Sequence, residues 1–163
     1  TSRNFKVVSE SGHVYGYGKS VWAMIDFDTR QPADILSVRG GLITEYIETE
    51  YSCPIEKSSR VKMSADATPV RSIDTYYNDV DINGHINSVK YIEHMLDLWD
   101  VAWYKQHRIK RFEIAYVAES HQGDKLHFYR EQRGTETDFN VRITKSNVER
   151  EETEVCRCRV QFV

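Results

Sequence analysis

The fold is decided by residues 76–91, which read YYNDVDINGHINSVKY. The polar, glycine-containing part of this stretch, residues 78–85, predicts a loop. After it, apolar residues recur at steps of three and four, which predicts one buried stripe on a long helix. The stretch therefore marks the passage from a loop into a helix. The members of the predicted stripe are Val89, Ile92, Leu96, Trp99 and Trp103.

Strand-like segments lie on both sides of this helix. Residues 70–77 precede the loop, and four further runs follow the helix, separated by turn signals. This order suits one antiparallel sheet wrapped around one long helix, which is an α+β fold. The four runs after the helix are residues 109–120, 125–133, 137–146 and 152–163.

The first third of the chain is organised differently. Residues 5–8 and 14–27 are rich in β-branched and aromatic side chains around a glycine turn, which predicts a hairpin that ends by residue 32. Residues 33–68 have a weak signal, with a short helix interrupted at Gly40 and Gly41. We interpret this part as a connector that packs on its neighbours.

Composition excludes several classes of protein. The chain has 163 residues, 40% of them hydrophobic, which describes one soluble globular domain or slightly more. A net charge of -3 does not favour a nucleic-acid partner. There is no apolar run of membrane-spanning length and no signal peptide. No metal-ligand spacing, phosphate loop or cofactor motif is present, and Cys156 and Cys158 have the spacing of packing residues in a strand.

Three polar side chains in the loop indicate a possible catalytic site. Asp81, Asn83 and His85 alternate with single apolar or small residues, so in an extended segment all three would lie on one side. A carboxylate, an amide and an imidazole that converge can act on one carbonyl group. The start of the following helix would add free N–H groups for an oxyanion.

The same residues also have a simpler interpretation. Aspartate and asparagine before a helix are common capping residues, and a single loop histidine is usually solvated. Taken alone, the D-x-N-x-H pattern leaves capping and catalysis open. His94, on the helix away from the apolar stripe, is expected to be solvated.

The stretch resembles the signature of the acyl-acyl-carrier-protein thioesterases of plants and bacteria. The similarity covers residues 81–92, in which D-x-N-x-H-x-N-x-x-Y opens the helix of the second of two fused hotdog units in that family. It extends to Ser20-Val21-Trp22 with Asp26, to residues 29–32, and to residues 112–120, where plant members carry a Glu-Cys pair. The resemblance implies a hotdog fold, no cofactor and hydrolysis of a fatty acyl thioester.

The resemblance also implies a domain organisation. Residues 1–32 would be the terminal strands of an incomplete first hotdog unit, residues 33–68 the connector, and residues 69–163 the second unit with the catalytic motif. On this basis the chain looks like a fragment that lacks the helix of the first unit.

The expected catalytic residues are Asp81, Asn83, His85 and Glu119. Glu119 or His85 would take a proton from water, Asn83 would place the carbonyl or the water, and Asp81 would orient His85 or Asn83. The cysteine of the plant pair is Ser120 here, so Ser120 is either a nucleophile or a support. Asn87 is expected to brace the start of the helix.

The expected partner is acyl carrier protein, which is acidic and could dock transiently on a basic cluster. A homodimer is left open, and the expected compartment is the bacterial cytoplasm. Three other functions stay open: an acyl-coenzyme A thioesterase, a non-catalytic acyl-binding or assembly module, and a dehydratase on the same fold. The basic cluster consists of Lys105, Arg108, Lys110 and Arg111.

Overall fold

The computed structural model describes residues 1–148 and 150–163, and over these residues the chain separates into two compact units. The first unit is Thr1–Lys57 and the second is Ser58–Val163. Within the same described residues, no helix combines the length and apolar character needed to cross a membrane.

The first unit contains the predicted hairpin. Strand β1 (Ser2–Val8) pairs in antiparallel fashion with β2 (Val14–Val21), and a short bridge joins Ile25 to Pro32. A 3₁₀ helix follows at Ile35–Tyr46, and its backbone departs from helical geometry at residues 38–41. The predicted interruption at the two glycines is confirmed, because both have positive φ angles that favour glycine.

The second unit is built on an antiparallel sheet. Within the described residues the sheet has five strands in the order β3-β5-β6-β7-β4. The run β5-β6-β7 is the predicted meander, whereas β4 pairs with β7 at the far edge and not with β5. The strands are β3 (Arg71–Asp74), β4 (Ile109–Tyr116), β5 (Lys125–Arg133), β6 (Thr135–Asn147) and β7 (Arg150–Phe162).

The predicted single long helix is wrong, because the segment consists of two helices. Helix α1 spans Ser88–Leu96 and helix α2 spans Val101–Gln106. The carboxylate of Asp100 accepts a hydrogen bond from the N–H of Trp103 at 2.8 Å and so begins a new helix. The apolar stripe continues across the break, because Trp99 lies in the intervening turn and is still buried.

The buried stripe also differs in its members from the prediction. Tyr91, Met95 and Trp99, spaced four residues apart, are buried against the sheet, whereas Val89 is 53% exposed. Residue 89 lies in the first turn of α1, on a side of the helix that faces away from the core. Burial of a large side chain of this kind contributes roughly 1.5–3 kcal/mol.

Alternation along the strands gives the sheet two different faces. Val141, Ile143 and Val160 have no exposed surface and belong to the core with the two helices. Cys156 and Cys158 are also fully buried there, which confirms their interpretation as packing residues. The side chains that alternate with these residues form the outer face, which is polar.

An extended segment, residues 58–64, crosses the outer face, and we call it the strap. The N–H of Ser64 donates to Glu131 on β5, and Lys62 accepts at its carbonyl from Asn140 on β6. At its other end, Ser59 donates a 3.2 Å hydrogen bond from its hydroxyl to Glu113 on β4. The strap is thus held by side chains from strands across the whole sheet.

Candidate active site

The loop before α1 is a tight turn. Val80 and Ile86 form a bridge, and the N–H of Asp81 donates to the carbonyl of His85 at 2.8 Å. Gly84 has a φ of 81°, which favours glycine at this position. The expectation that residues 81, 83 and 85 share one side of an extended segment is therefore wrong, because the chain reverses direction between them.

Asp81 holds this turn together. Its carboxylate accepts hydrogen bonds from the N–H of Asn83 at 2.8 Å and from the N–H of His85 at 3.2 Å. Desolvation raises the pKa of the Asp81 carboxyl, but hydrogen bonds from Asn83 and His85 outweigh it and hold the pKa below its usual range. Asp81 is therefore an anion at neutral pH that orients the backbone on both sides of Gly84.

Asn87 connects the turn to the helix. Its side-chain oxygen caps α1 by accepting from the N–H of Val89 at 2.9 Å, and its own N–H donates to the carbonyl of Asp79 at 2.7 Å. The N–H of Lys90 donates to the carbonyl of Asn87. The helix N–H groups of residues 89 and 90 are thus already bonded, so the expectation that they are free for an oxyanion is wrong.

The side chains of His85 and Glu119 contact each other. The Nε2 atom of His85 lies 3.4 Å from the Oε2 atom of Glu119, with side chains 31% and 49% exposed. Glu119 follows β4 in an irregular segment, which is joined to the loop by a 2.8 Å hydrogen bond from the N–H of Ile86 to the carbonyl of Ser120. An imidazole and a carboxylate therefore share a solvent-accessible position beside the turn.

The remaining predicted residues lie close by in different roles. Asp81 acts on His85 through the backbone, and Asn83 is exposed at the tip of the turn. The backbone N–H of Asn83 donates to the carboxylate of Asp81. The structure thus brings His85 and Glu119 into direct contact and places Asn83 two residues before His85 in the same turn.

Ser120 lies in a different environment from Glu119. It has no exposed surface, and its hydroxyl lies beside that of Tyr91 in a geometry that falls short of a good hydrogen bond. Burial raises the pKa of Tyr91 to about 12, although the neighbouring Ser120 acts in the opposite direction. This position favours a supporting role for Ser120 over that of a nucleophile.

Sequence reasoning missed two neighbours of the His85–Glu119 pair. The ring of His121 packs edge-on against the ring of His85, with centroids 5.1 Å apart, and the backbone N–H of His121 donates to the carboxylate of Asp124. The ammonium group of Lys145 donates to the carbonyl of Glu119. The proximity of His121 to Glu119 in the sequence was an available signal, whereas Lys145 comes from β6 and had none.

A second histidine–carboxylate pair joins the last turn of α1 to the loop that precedes the helix. His94 Nε2 is 3.6 Å from Asp79 Oδ1, and the side chains are 24% and 14% exposed. The ring of His94 also packs edge-on against Phe128 at a centroid distance of 6.3 Å. The expectation that His94 is solvated is wrong, because its face of α1 turns toward β5.

The predicted basic cluster is not uniform. Lys105, Arg108 and Lys110 are exposed around the end of α2 and the start of β4. Arg111 is half-buried, and its Nε atom donates to Glu113 at 2.6 Å. Three of the four cations are therefore on the surface, whereas Arg111 belongs to the polar outer face of the sheet.

Within residues 1–148 and 150–163, no group of three or more histidine, cysteine, aspartate or glutamate residues could hold a metal ion.

Comparison with known proteins identifies the family. Residues 62–163, more than half of the chain, match the family model of the acyl-ACP thioesterase C-terminal domain, where ACP is acyl carrier protein. The chain belongs to the acyl-ACP thioesterase family. The matched region contains the turn, both helices, the sheet and the His85–Glu119 pair.

Solved structures agree with this assignment. An acyl-ACP thioesterase from Bacteroides thetaiotaomicron is 45% identical with a TM-score of 0.87, over 99% of this chain and 62% of that chain. The 12:0-ACP thioesterase from Umbellularia californica is 20% identical with a TM-score of 0.79, over the same shares. The latter shows the fold alone, and the predicted α+β hotdog fold is confirmed.

A curated relative is more distant. The chloroplastic palmitoyl-acyl carrier protein thioesterase of Gossypium hirsutum is 25% identical over 114 residues, which are 68% of this chain and 28% of that protein. The chain thus spans 28% of this relative and 62% of the bacterial structure.

Proposed function

We propose that this chain carries the catalytic residues of a thioester hydrolase that releases a fatty acid from acyl carrier protein. The observation that carries the proposal is the 3.4 Å contact between His85 and Glu119 beside the family's signature turn. The family membership of residues 62–163 supports the same reaction class.

In the proposed reaction, water attacks the thioester carbonyl. Glu119 or His85 takes the proton of that water, and the other member of the pair orients it. A C–O bond forms, the C–S bond breaks, and the proton passes to the sulfur of the leaving thiol. The products are a free acid and a thiol, and no redox partner is needed.

Asn83 and Asp81 have supporting roles in this proposal. The amide of Asn83, at the exposed tip of the turn, would donate to the oxyanion that forms on the carbonyl. Because the N–H groups of residues 89 and 90 are already bonded, this side chain is a better candidate than those two groups. Asp81 positions Asn83 and His85 through their N–H groups, and Asn87 fixes the turn against α1.

Apolar side chains near the pair suit an acyl substrate. Tyr116, Val117 and Val89 are each about half exposed, at 49%, 53% and 53%. The hydroxyl of Tyr116 donates to the carbonyl of Ser88, so β4 ends beside the first turn of α1. Binding of an acyl chain here would remove this apolar surface from water.

The carrier protein would dock on Lys105, Arg108 and Lys110. Their exposure suits a transient encounter with an acidic partner, steered by charge. Arg111 contributes less, because it is already bonded to Glu113. Reversal of the three exposed charges should raise KM for the carrier-bound substrate and leave KM for the same acyl group on coenzyme A nearly unchanged.

The proposal also covers the pathway, the compartment and the assembly state of the protein. The reaction would belong to fatty acid biosynthesis in the bacterial cytoplasm, and the chain would act alone or as a homodimer. Analytical ultracentrifugation of the purified chain distinguishes the two assemblies.

A thiol-release assay on the purified chain tests the function. The same saturated acyl group is offered on acyl carrier protein and on coenzyme A, and a 3-hydroxyacyl thioester is offered in parallel. We expect free thiol from the carrier-bound acyl group at a higher kcat/KM than from coenzyme A. A preference for coenzyme A would indicate an acyl-coenzyme A thioesterase, dehydration without thiol release a dehydratase, and binding without turnover an acyl-binding module.

A further inference from the structure

A cleft with a volume of about 280 Å³ lies on the outer face of the sheet, beside the strap. Four consecutive strap residues form one wall, and side chains of β6 and β7 form the other. This size is close to the lower end of ligand sites, which run from roughly 300 to 1,000 Å³. The lining residues are Arg60, Val61, Lys62 and Met63 of the strap, Arg142 of β6, and Glu154 and Arg157 of β7.

The cleft is strongly basic in a chain that is acidic overall. Its lining contains four cationic side chains and one carboxylate, Glu154, which gives a local charge of +3 from 4 − 1. The net charge of the whole chain is -3. Composition therefore does not account for this concentration of positive charge.

Two of the cations face each other directly. Arg142 and Arg157 are register partners on β6 and β7, and like charges in such a position destabilise a sheet. Glu154 accepts a hydrogen bond from Arg157. Arg142 places its guanidinium 4.4 Å from the centroid of the Tyr129 ring and lies within electrostatic reach of Glu152.

One oxygen of the Glu152 carboxylate, Oε1, is already hydrogen-bonded elsewhere. It accepts hydrogen bonds from the hydroxyl groups of Tyr129 and Thr144. The Nε atom of Arg142 is buried and, within the part of the chain that the structure describes, has no hydrogen-bond partner. A buried donor left without an acceptor is unfavourable, and the positive charge of Arg142 would attract an anion in the cleft that this side chain lines.

We propose that this cleft binds the phosphate group of a small ligand. Guanidinium groups present parallel N–H donors that match phosphate oxygens, and the strap brings Arg60 and Lys62 to the opposite wall. The small volume suits a phosphate or diphosphate, supplied either by free inorganic anion or by a phosphorylated organic molecule. This proposal does not depend on the thioesterase function, because the cleft lies on the face of the sheet opposite the helices.

Calorimetric titration of the 163-residue chain tests the proposal. The probes are inorganic phosphate, inorganic pyrophosphate and coenzyme A, each at the same ionic strength in a chloride buffer. One variant combines Arg60→Gln with Lys62→Gln on the exposed strap, and a second changes Arg142→Gln. The matched control combines Lys6→Gln with Lys19→Gln, two exposed lysines of the β1–β2 hairpin that remove the same charge.

We expect saturable binding of at least one probe, weakened about tenfold or more by each cleft variant and less than about twofold by the control. The strap variant keeps the test valid if Arg142→Gln does not fold. Tighter binding of coenzyme A than of pyrophosphate would assign the phosphate to an organic ligand, and the reverse order to a free anion. Absence of saturable binding by all three probes, or equal weakening by the control, would overturn the proposal.

Discussion

Two histidine–carboxylate pairs in the second unit have similar geometry and different surroundings. The His85–Glu119 pair is 3.4 Å apart with side chains 31% and 49% exposed. The His94–Asp79 pair is 3.6 Å apart with side chains 24% and 14% exposed. The chemical groups and their separations are nearly the same, so access to solvent is the main difference between them.

The surroundings assign different roles to the two pairs. Asp79 also accepts from the N–H of Tyr76, and His94 packs on Phe128, so this pair ties the start of the motif to the core. His85 and Glu119 belong to two irregular segments, and both side chains are accessible to water. Under the proposed function, the neighbours of each pair, and not the residue types alone, separate the reactive pair from the structural one.

The largest expected effect is the loss of turnover when the exposed pair is broken. Glu119→Gln removes the carboxylate but keeps the shape of the side chain, and His85→Ala removes the imidazole. Each should lower kcat by about 10²–10⁴-fold, the usual contribution of a general acid or base. Thiol release from acyl-ACP measures the rate, and circular dichroism checks that the fold persists.

Glu136→Gln is the matched control for this prediction, because Glu136 is an exposed glutamate on β6 away from the turn. It should leave kcat within about twofold of the wild type, since isolated surface charges contribute little. Near-normal kcat in both Glu119→Gln and His85→Ala would contradict the assignment of this pair as the catalytic one.

A smaller effect is expected at Asp81, which positions the exposed pair without reacting. Asp81→Ala removes the acceptor for two N–H groups and should lower kcat about tenfold, whereas Asp81→Asn keeps an acceptor oxygen and should cost less. If Asp81 instead reacted directly as a carboxylate, Asp81→Asn would lower kcat as much as Asp81→Ala.

The stabilising effect of Asp81 should change with pH in one direction. Hydrogen bonds from Asn83 and His85 outweigh desolvation and lower the pKa of Asp81, so its ionised form is favoured in the folded protein. Its contribution to the free energy of unfolding is present above the ordinary aspartate pKa of about 4 and is lost as the pH falls through the lower folded value. The wild type and Asp81→Asn should therefore differ in stability at neutral pH and converge in strong acid, as urea denaturation over a range of pH would measure.

The buried pair should affect stability more than rate. His94→Gln or Asp79→Asn removes one partner of a pair that is largely shielded from water, which should lower the free energy of unfolding by about 1–3 kcal/mol. Urea denaturation measures this change. Lys90→Gln breaks the more exposed Lys90–Glu93 pair and is the control, with little or no expected loss, because solvent screens such a pair.

Equal losses in His94→Gln and Lys90→Gln would remove the distinction between a buried and an exposed pair. A fall in kcat at His94 as large as that at His85, with the fold intact, would indicate that both pairs take part in the reaction.

Sequence periodicity predicted most of the second unit. Strand β5 was predicted with the bounds that the structure has, Lys125–Arg133, because a glycine turn precedes it and another follows it. The break between the two helices was missed, because Trp99 and Trp103 continue the apolar spacing through it. Asp100 was the available signal, since aspartate often begins a helix.

The site was predicted less completely than the fold. The contact between His85 and Glu119 was expected from resemblance to a family, since no local pattern relates a loop to a segment after β4. The strap was not predicted, because an extended polar segment is placed by distant partners such as Glu113 and Asn140. Contacts of this kind depend on tertiary structure and leave no periodic trace in the sequence.

The smallest expected effect on kcat is at Ser120, the residue next to Glu119. Ser120 has no exposed surface and packs beside Tyr91, so Ser120→Ala should keep kcat within about threefold of the wild type. Mass spectrometry of the rapidly quenched reaction should find no acyl adduct on the wild-type chain, because in the proposed reaction water and not serine attacks the carbonyl. An adduct on Ser120, together with a loss of kcat as large as that of Glu119→Gln, would show that the reactive centre includes a buried hydroxyl. Solvent access would then no longer be what separates the reactive groups of this fold from the structural ones.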